Sequence, residues 1–183
     1  MRYYITFYGI HTDDWEETFA DPAFVDHNKL LVKEYISDGC DTTDLTTSAQ
    51  GTHKFLYPQH IKKTYFIEGT ITGQIAFAAY GGACTIGDFR VTLCKVHEDT
   101  TQTELFTTGW ITVTRALTWD AGLGVGEEIV YAFWIDAWNK AKLNEFERIY
   151  LKIEVDNTTA YSAIMHTNDA TWEDVKIEVP FIM

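Results

Sequence analysis

The sequence predicts an all-β protein: an antiparallel β-sandwich, jelly-roll-like, with an irregular N-terminal region containing short helical pieces. Three observations predict it. Aromatic residues make up 15% of the 183 residues and Thr is the most frequent type; both suit a pleated, half-buried surface, and neither leads the helix scale. Apolar residues recur in two-residue steps through most of the second half, the period of a strand with one buried face. There are only three prolines, Pro22, Pro58 and Pro180, as a chain of many paired strands requires.

Taken in order, residues 1–8 form the first expected strand, with Tyr3, Ile5 and Phe7 alternating with Tyr4, Thr6 and Tyr8. Both faces of that strand are apolar, so it must be covered in its own sheet or in a neighbour's. Residues 11–28 read as a loop with short helical pieces, one capped by Asp13 with Glu16 three residues on, another starting at Asp21-Pro22. A strand is expected over 30–36, a polar loop (SDGCDTTDLTTSAQG) over 37–51 and a strand over 53–57. The expected organisation is a single domain over 1–183, with 1–62 as a less regular N-terminal arm and loop region.

The second half is plainer. KTYFIEGTITGQIAFAAY (63–80) reads as one long bent strand or two, with Gly69 and Gly73 as the places for kinks or bulges. Phe89, Val91 and Leu93 begin a hairpin that returns through 104–106, and strands follow over 110–117, 128–138, 148–155 and 174–181. FERIYLKIEVD has one wet face, since Ile149, Leu151, Ile153 and Val155 alternate with Arg148, Tyr150, Lys152, Glu154 and Asp156. GEEIVYAFWIDAW is apolar on both faces, which predicts a central strand or one beneath an interface. A helical turn or two is expected over 138–146.

Composition limits the function classes. A formal net charge of −13 and a pI near 4.7 argue against nucleic acid and against an anionic membrane surface, both of which want compensating Lys and Arg. No window approaches the length of a spanning segment, and MRYYITFYGIHTDDWEE lacks the long apolar region of a leader, so neither is expected. Cys40, Cys84 and Cys94 show no C-x-x-C spacing; free thiols are expected, with a Cys84–Cys94 bridge as the alternative.

The motifs that carry chemistry elsewhere are incomplete here. His97, Glu98 and Asp99 sit between two β-patterned runs, where a hairpin turn belongs, and the other histidines form no H-x-H or H-E-x-x-H pair. Asp38, Asp41 and Asp44 share one acidic loop, but their spacing is not that of an EF-hand. GLGVGEE has Glu127 where a dinucleotide fingerprint needs Gly, YGGACTIGD lacks the Walker Lys, and no G-x-S-x-G elbow occurs. No catalytic, cofactor or metal residues are assigned. Trp110, Trp119, Trp134, Trp138 and Trp172 suit either packing or stacking on sugars.

The order FRVTLCKV, polar turn, ELFTTGWITVT, GEEIVYAFWI, FERIYLKIEV resembles the jelly-roll-like β-sandwich structural proteins of viruses and tailed phages, of decoration or minor capsid type. The resemblance covers about the last two thirds of the chain. It implies a virion component that assembles with copies of itself and with other virion structural proteins. The candidate interface is drawn through the doubly apolar strands: Tyr3, Ile5, Phe7, Tyr131, Phe133, Trp134 and Trp138. Two further readings stand beside it: a carbohydrate-binding module in an extracellular or cytoplasmic setting, and an enzyme on a β scaffold.

Overall fold

Alternation becomes strand pairing in the computed structural model of the chain, which describes residues 1–11, 29–33, 43–44, 50–79, 81–156, 162–164 and 175–183. The strands in chain order are β1 (Arg2–His11), β2 (Lys29–Val32), β3 (Thr43–Asp44), β4 (Gln50–Leu56), β5 (Tyr65–Ala79), β6 (Cys84–Val96), β7 (Gln102–Thr107), β8 (Ile111–Leu117), β9 (Trp119–Asp120), β10 (Val125–Gly126), β11 (Glu128–Leu143), β12 (Arg148–Asp156), β13 (Ser162–Ile164) and β14 (Val175–Ile182). The protein is all-β, and among the described residues its pairing is antiparallel apart from one bridge, Leu30 to Leu56 between β2 and β4. There is no helix among the described residues; the helical pieces expected over 13–28 lie outside them.

The single parallel bridge is where the hydrogen-bonded path passes from one layer to the other. One layer runs β11-β5-β14-β1-β2 and the other β4-β12-β6, with β7 and β8 both pairing β6. Their inner faces meet in one core. Ile67, Ile71, Ile75 and Phe77 of β5, with Val175, Ile177 and Val179 of β14, face Phe89, Val91 and Leu93 of β6 and Ile149, Leu151 and Ile153 of β12. The Phe77 and Phe89 rings, one from each layer, lie 5.4 Å apart. This is sandwich packing, in which alternate residues of each strand supply the core.

β1 lies inside its own sheet, between β14 and β2, so its doubly apolar pattern needs no neighbouring chain. β5 is one strand with a register shift against both of its long partners, between Ala137 and Ala141 of β11 and between Glu178 and Phe181 of β14. The cause is local. Gly69 has φ +132°, a backbone that L side chains avoid, and it lies against Pro180, which has no N–H for the ladder.

One expectation is corrected at β11, and another loses one of its two alternatives. The helical turn expected over 138–146 is strand as far as Leu143, because Ala141 and Leu143 continue the inward alternation and pair with Ile67 and Tyr65. The strand is also not central. Among the described residues it pairs with β5 alone, so it forms an edge there, its odd-numbered residues facing the core, apart from Asn139 at the bulge, and its even-numbered ones facing outward.

Candidate interaction face on the edge strand

The outward row of β11 is unusual for an edge. Val130, Ala132, Trp134, Asp136 and Trp138 follow one another on the exposed side, and Trp134 and Trp138 are 69% and 61% exposed. Natural edges are blunted by charge, proline or bulges. Here the bulge falls only after Ala137, which leaves 129–137 regularly paired with β5 on one side and, among the described residues, with no strand on the other. The Lys142 carbonyl beyond it accepts a bond from Lys95 Nζ at 3.3 Å.

Register carries the same face across the sheet. Trp134 stands opposite Thr72, Thr72 opposite Glu178, and Glu178 opposite Thr6. Ala132, Gln74, Lys176 and Tyr8 form the next row. The face is therefore apolar along β11, polar over β5 and β14, and aromatic again at Tyr4 and Tyr8 of β1. Arg2 closes one corner, its guanidinium 5.9 Å from the Trp138 ring and 3.7 Å from Glu68.

Of the seven candidate interface residues, only Trp134 and Trp138 are on this face. Phe7 and Phe133 are buried in the core, and Tyr3, Ile5 and Tyr131 pack against it. Phe133 reaches the core because Gly73, its partner on β5, has no side chain: a Cβ there would lie 2.4 Å from the Phe133 ring. An interface through Phe7 or Phe133 would require the sandwich to open. Trp110, on the other layer, is half exposed and lies 5.0 Å from the Arg90 guanidinium, while Trp119 packs partly against the core and Trp172 lies outside the described residues.

The His97 triplet forms the tip of the β6–β7 hairpin. The backbone N–H of His97 donates to Thr101 O at 2.8 Å and that of Thr100 to His97 O at 3.0 Å. Asp99 accepts from the Thr101 hydroxyl and N–H, which hold its carboxyl below the usual range. His97 turns instead to Glu147, with Nδ1 2.8 Å from the carboxylate, beside Lys95 Nζ at 2.9 Å. No group of three His, Cys, Asp or Glu side chains suited to a metal occurs among the described residues. Of the acidic loop, Asp38 and Asp41 lie outside them.

Cys84 and Cys94 are both buried thiols with no disulfide between them. They lie on one strand, β6, ten residues apart, or about 33 Å at the rise of a strand, so they cannot bridge within one chain. The wet face of β12 is an alternating charge ladder. Arg90 holds Glu154 through two bonds of 2.7 and 2.8 Å, and Lys152 pairs with both Glu154 and Glu104. Tyr150 departs from the alternation, being buried on that side with Leu56, Cys94 and Val96.

No family model matches the chain, and no curated protein does. Solved structures match in fold. A CocE/NonD family hydrolase from Staphylococcus aureus aligns at TM-score 0.60 with 9% identity over 99% of this chain and 37% of its own. An aminopeptidase from a marine sediment archaeon, Thaumarchaeota archaeon, aligns at 0.51 with 10% identity over 100% of this chain and 37% of its own. At such identity the likeness is one of fold alone, and this chain spans little more than a third of the length of either.

Proposed function

We propose that the chain is a non-catalytic assembly protein that joins its neighbours through the open edge and outer face of β11, a second copy of itself first among them. The observation that carries the reading is the pair of exposed indoles on a strand whose other edge meets no strand among the described residues. Antiparallel pairing of two β11 strands about Trp134 sets Val130 opposite Trp138 of the second copy, Ala132 opposite Asp136, and Trp134 opposite itself. The apolar row thus meets an apolar row, and the free backbone groups find partners. Four indoles would bury roughly 500 Å² from their exposed fractions, about a third of a standard interface, so the association should be micromolar.

Sedimentation equilibrium from about 1 to 500 µM tests this. The wild-type chain should approach twice its mass, and Trp134→Ala with Trp138→Ala should remain monomeric without loss of thermal stability. A wild-type chain that is monomeric throughout would sink the proposal. We extend it to a virion setting, as a capsid or decoration component, on the strand-order resemblance alone. Absence of the chain from purified particles would remove that setting and leave the interface standing.

A carbohydrate-binding role is the second reading, favoured by the same exposure. Trp134 and Trp138 point the same way from one strand, about 13 Å apart at 3.3 Å per residue, and present flat apolar surfaces to solvent. A glycan panel followed by tryptophan fluorescence separates the two. A saturable response lost in the double Ala variant would favour this reading over assembly.

A further inference from the structure

At one end of the sandwich the layers part around a cavity of about 220 Å³, enclosed by Tyr3, Ile5 and Phe7 of β1, Phe181 of β14, Tyr65 of β5 and the connection from Tyr57 to Lys62. Five aromatic rings form its wall in an unbroken series. Phe7 lies 5.2 Å from Tyr57 and 6.5 Å from Phe181, and Phe181 lies 5.9 Å from Tyr65 and 6.0 Å from Tyr3. The connection is fixed by backbone bonds, Tyr57 N–H to Ile149 O, Ile61 N–H to Glu147 O and Phe146 N–H to Ile61 O, each within 2.9 Å. The site is therefore preformed, as small-molecule sites usually are.

Its charge runs against the rest of the chain. Acids outnumber Lys and Arg by 27 to 14 overall, yet among the described residues the cavity is lined by Lys33, Lys62 and His60 and by no Asp or Glu. Glu145 lines the adjoining cleft instead. The cations stand at the exposed rim, Lys33 Nζ 5.1 Å from the Tyr57 ring, while the deeper walls are buried and apolar. The Tyr3 hydroxyl adds no negative charge: burial, and then its hydrogen bond with Tyr65, push it up to about 12.

We infer that this cavity binds a small anionic amphiphile, an aryl or medium-chain carboxylate whose apolar body lies against the wall of Phe7, Tyr57 and Phe181 and whose carboxylate meets Lys33 and Lys62 at the rim. The volume lies just under the roughly 300 Å³ at which drug-sized sites begin, which sets the ligand at fragment size. Binding should be on the order of millimolar or somewhat tighter for so few atoms.

The test is a two-dimensional amide NMR titration of the full chain with 3-phenylpropionate, 3-phenylpropan-1-ol and 3-phenylpropylamine. The carboxylate should saturate, moving amides of the 57–65 connection and of β1. The alcohol should bind about fivefold more weakly or worse and the amine not at all. Lys33→Glu with Lys62→Glu, both at exposed positions, should weaken the carboxylate about tenfold, and raising salt from about 50 to 500 mM should weaken it in the wild-type chain. Failure to saturate by about 10 mM, equal binding of the three probes, or an affinity indifferent to both charge reversal and salt would overturn the inference. None of these results depends on self-association through β11.

Discussion

Replacing Glu147 by Gln should destabilise the protein far more than a change at the root of a surface turn would suggest. The carboxylate is 4% exposed. It receives Lys95 at 2.9 and 3.2 Å, His97 Nδ1 at 2.8 Å, the Asn144 N–H at 2.7 Å and the Asn144 amide at 3.2 Å. Burial alone would raise its pKa; the Asn144 N–H and Lys95 outweigh that and hold it below the usual carboxylate value. Breaking a fully buried pair costs about 3–5 kcal/mol. Gln keeps one oxygen for Asn144, and the Lys95 and His97 side chains retain 12% and 33% exposure, so about 2 kcal/mol is expected. For a chain of this size that is roughly 4–8 °C in Tm.

The sign with pH follows from the lowered pKa. A carboxylate whose folded value is depressed contributes stability that is fully present above its unfolded pKa, about 4.3, and is lost as pH falls through the folded value. The gap between wild type and Glu147→Gln in urea denaturation should therefore be open at pH 7 and should close below about pH 4. A gap under about 0.5 kcal/mol at pH 7, or one that survives acid unchanged, would refute the reasoning.

Other consequences can be measured on the same protein. Gly73→Ala should cost about 2–4 kcal/mol, since its Cβ would lie 2.4 Å from the Phe133 ring and 2.5 Å from the Lys176 carbonyl; combined with Phe133→Leu it should cost less than the sum, as a double-mutant cycle would show. Cys94 should resist alkylation in the folded protein at pH 8 and react once unfolded, because burial raises its thiol to about 11. Rapid labelling of the native chain at Cys94, located by peptide mapping, would contradict that. Arg90→Lys should cost about 1 kcal/mol or less, as Lys loses the forked contact with a half-buried Glu154; no change in urea midpoint would leave the fork without energetic weight.

Strand rhythm was legible in the sequence because burial on one face writes a two-residue period into the chain, as in FERIYLKIEVD, which is β12 from Arg148 to Asp156. What the period does not encode is the position of a strand within its sheet. Ile129 to Ala137 reads as apolar on both faces whether the strand is central or at an edge, and only its pairing, with β5 alone among the described residues, distinguishes them. Glu147 gave no signal, since a Glu in FER looks solvated until Lys95 and His97 arrive from β6 and the hairpin tip. The cationic rim was equally hidden. Lys33 and Lys62 are 29 residues apart, and nothing local joins them to the aromatic wall that Phe7 and Phe181 complete.

The two proposed sites differ in the sign of their salt dependence, and this follows from where charge lies. Each subunit carries a formal −13, so two copies repel over the Debye length, about 8 Å at physiological ionic strength. Between Val130 and Trp138 the β11 contact is mostly apolar, with Asp136 opposite Ala132 and no cation facing it; the register's charge pair, Glu128 with Lys140, lies at the rim, where salt screens it. Added salt screens the repulsion and leaves the apolar gain intact, so self-association should tighten as sodium chloride rises from about 50 to 500 mM. The same change should weaken a carboxylate held by Lys33 and Lys62. Sedimentation that shows the dimer dissociating with salt would mean that charge pairs, and not Val130, Trp134 and Trp138, hold the copies together, and the edge-pairing register about Trp134 would be wrong.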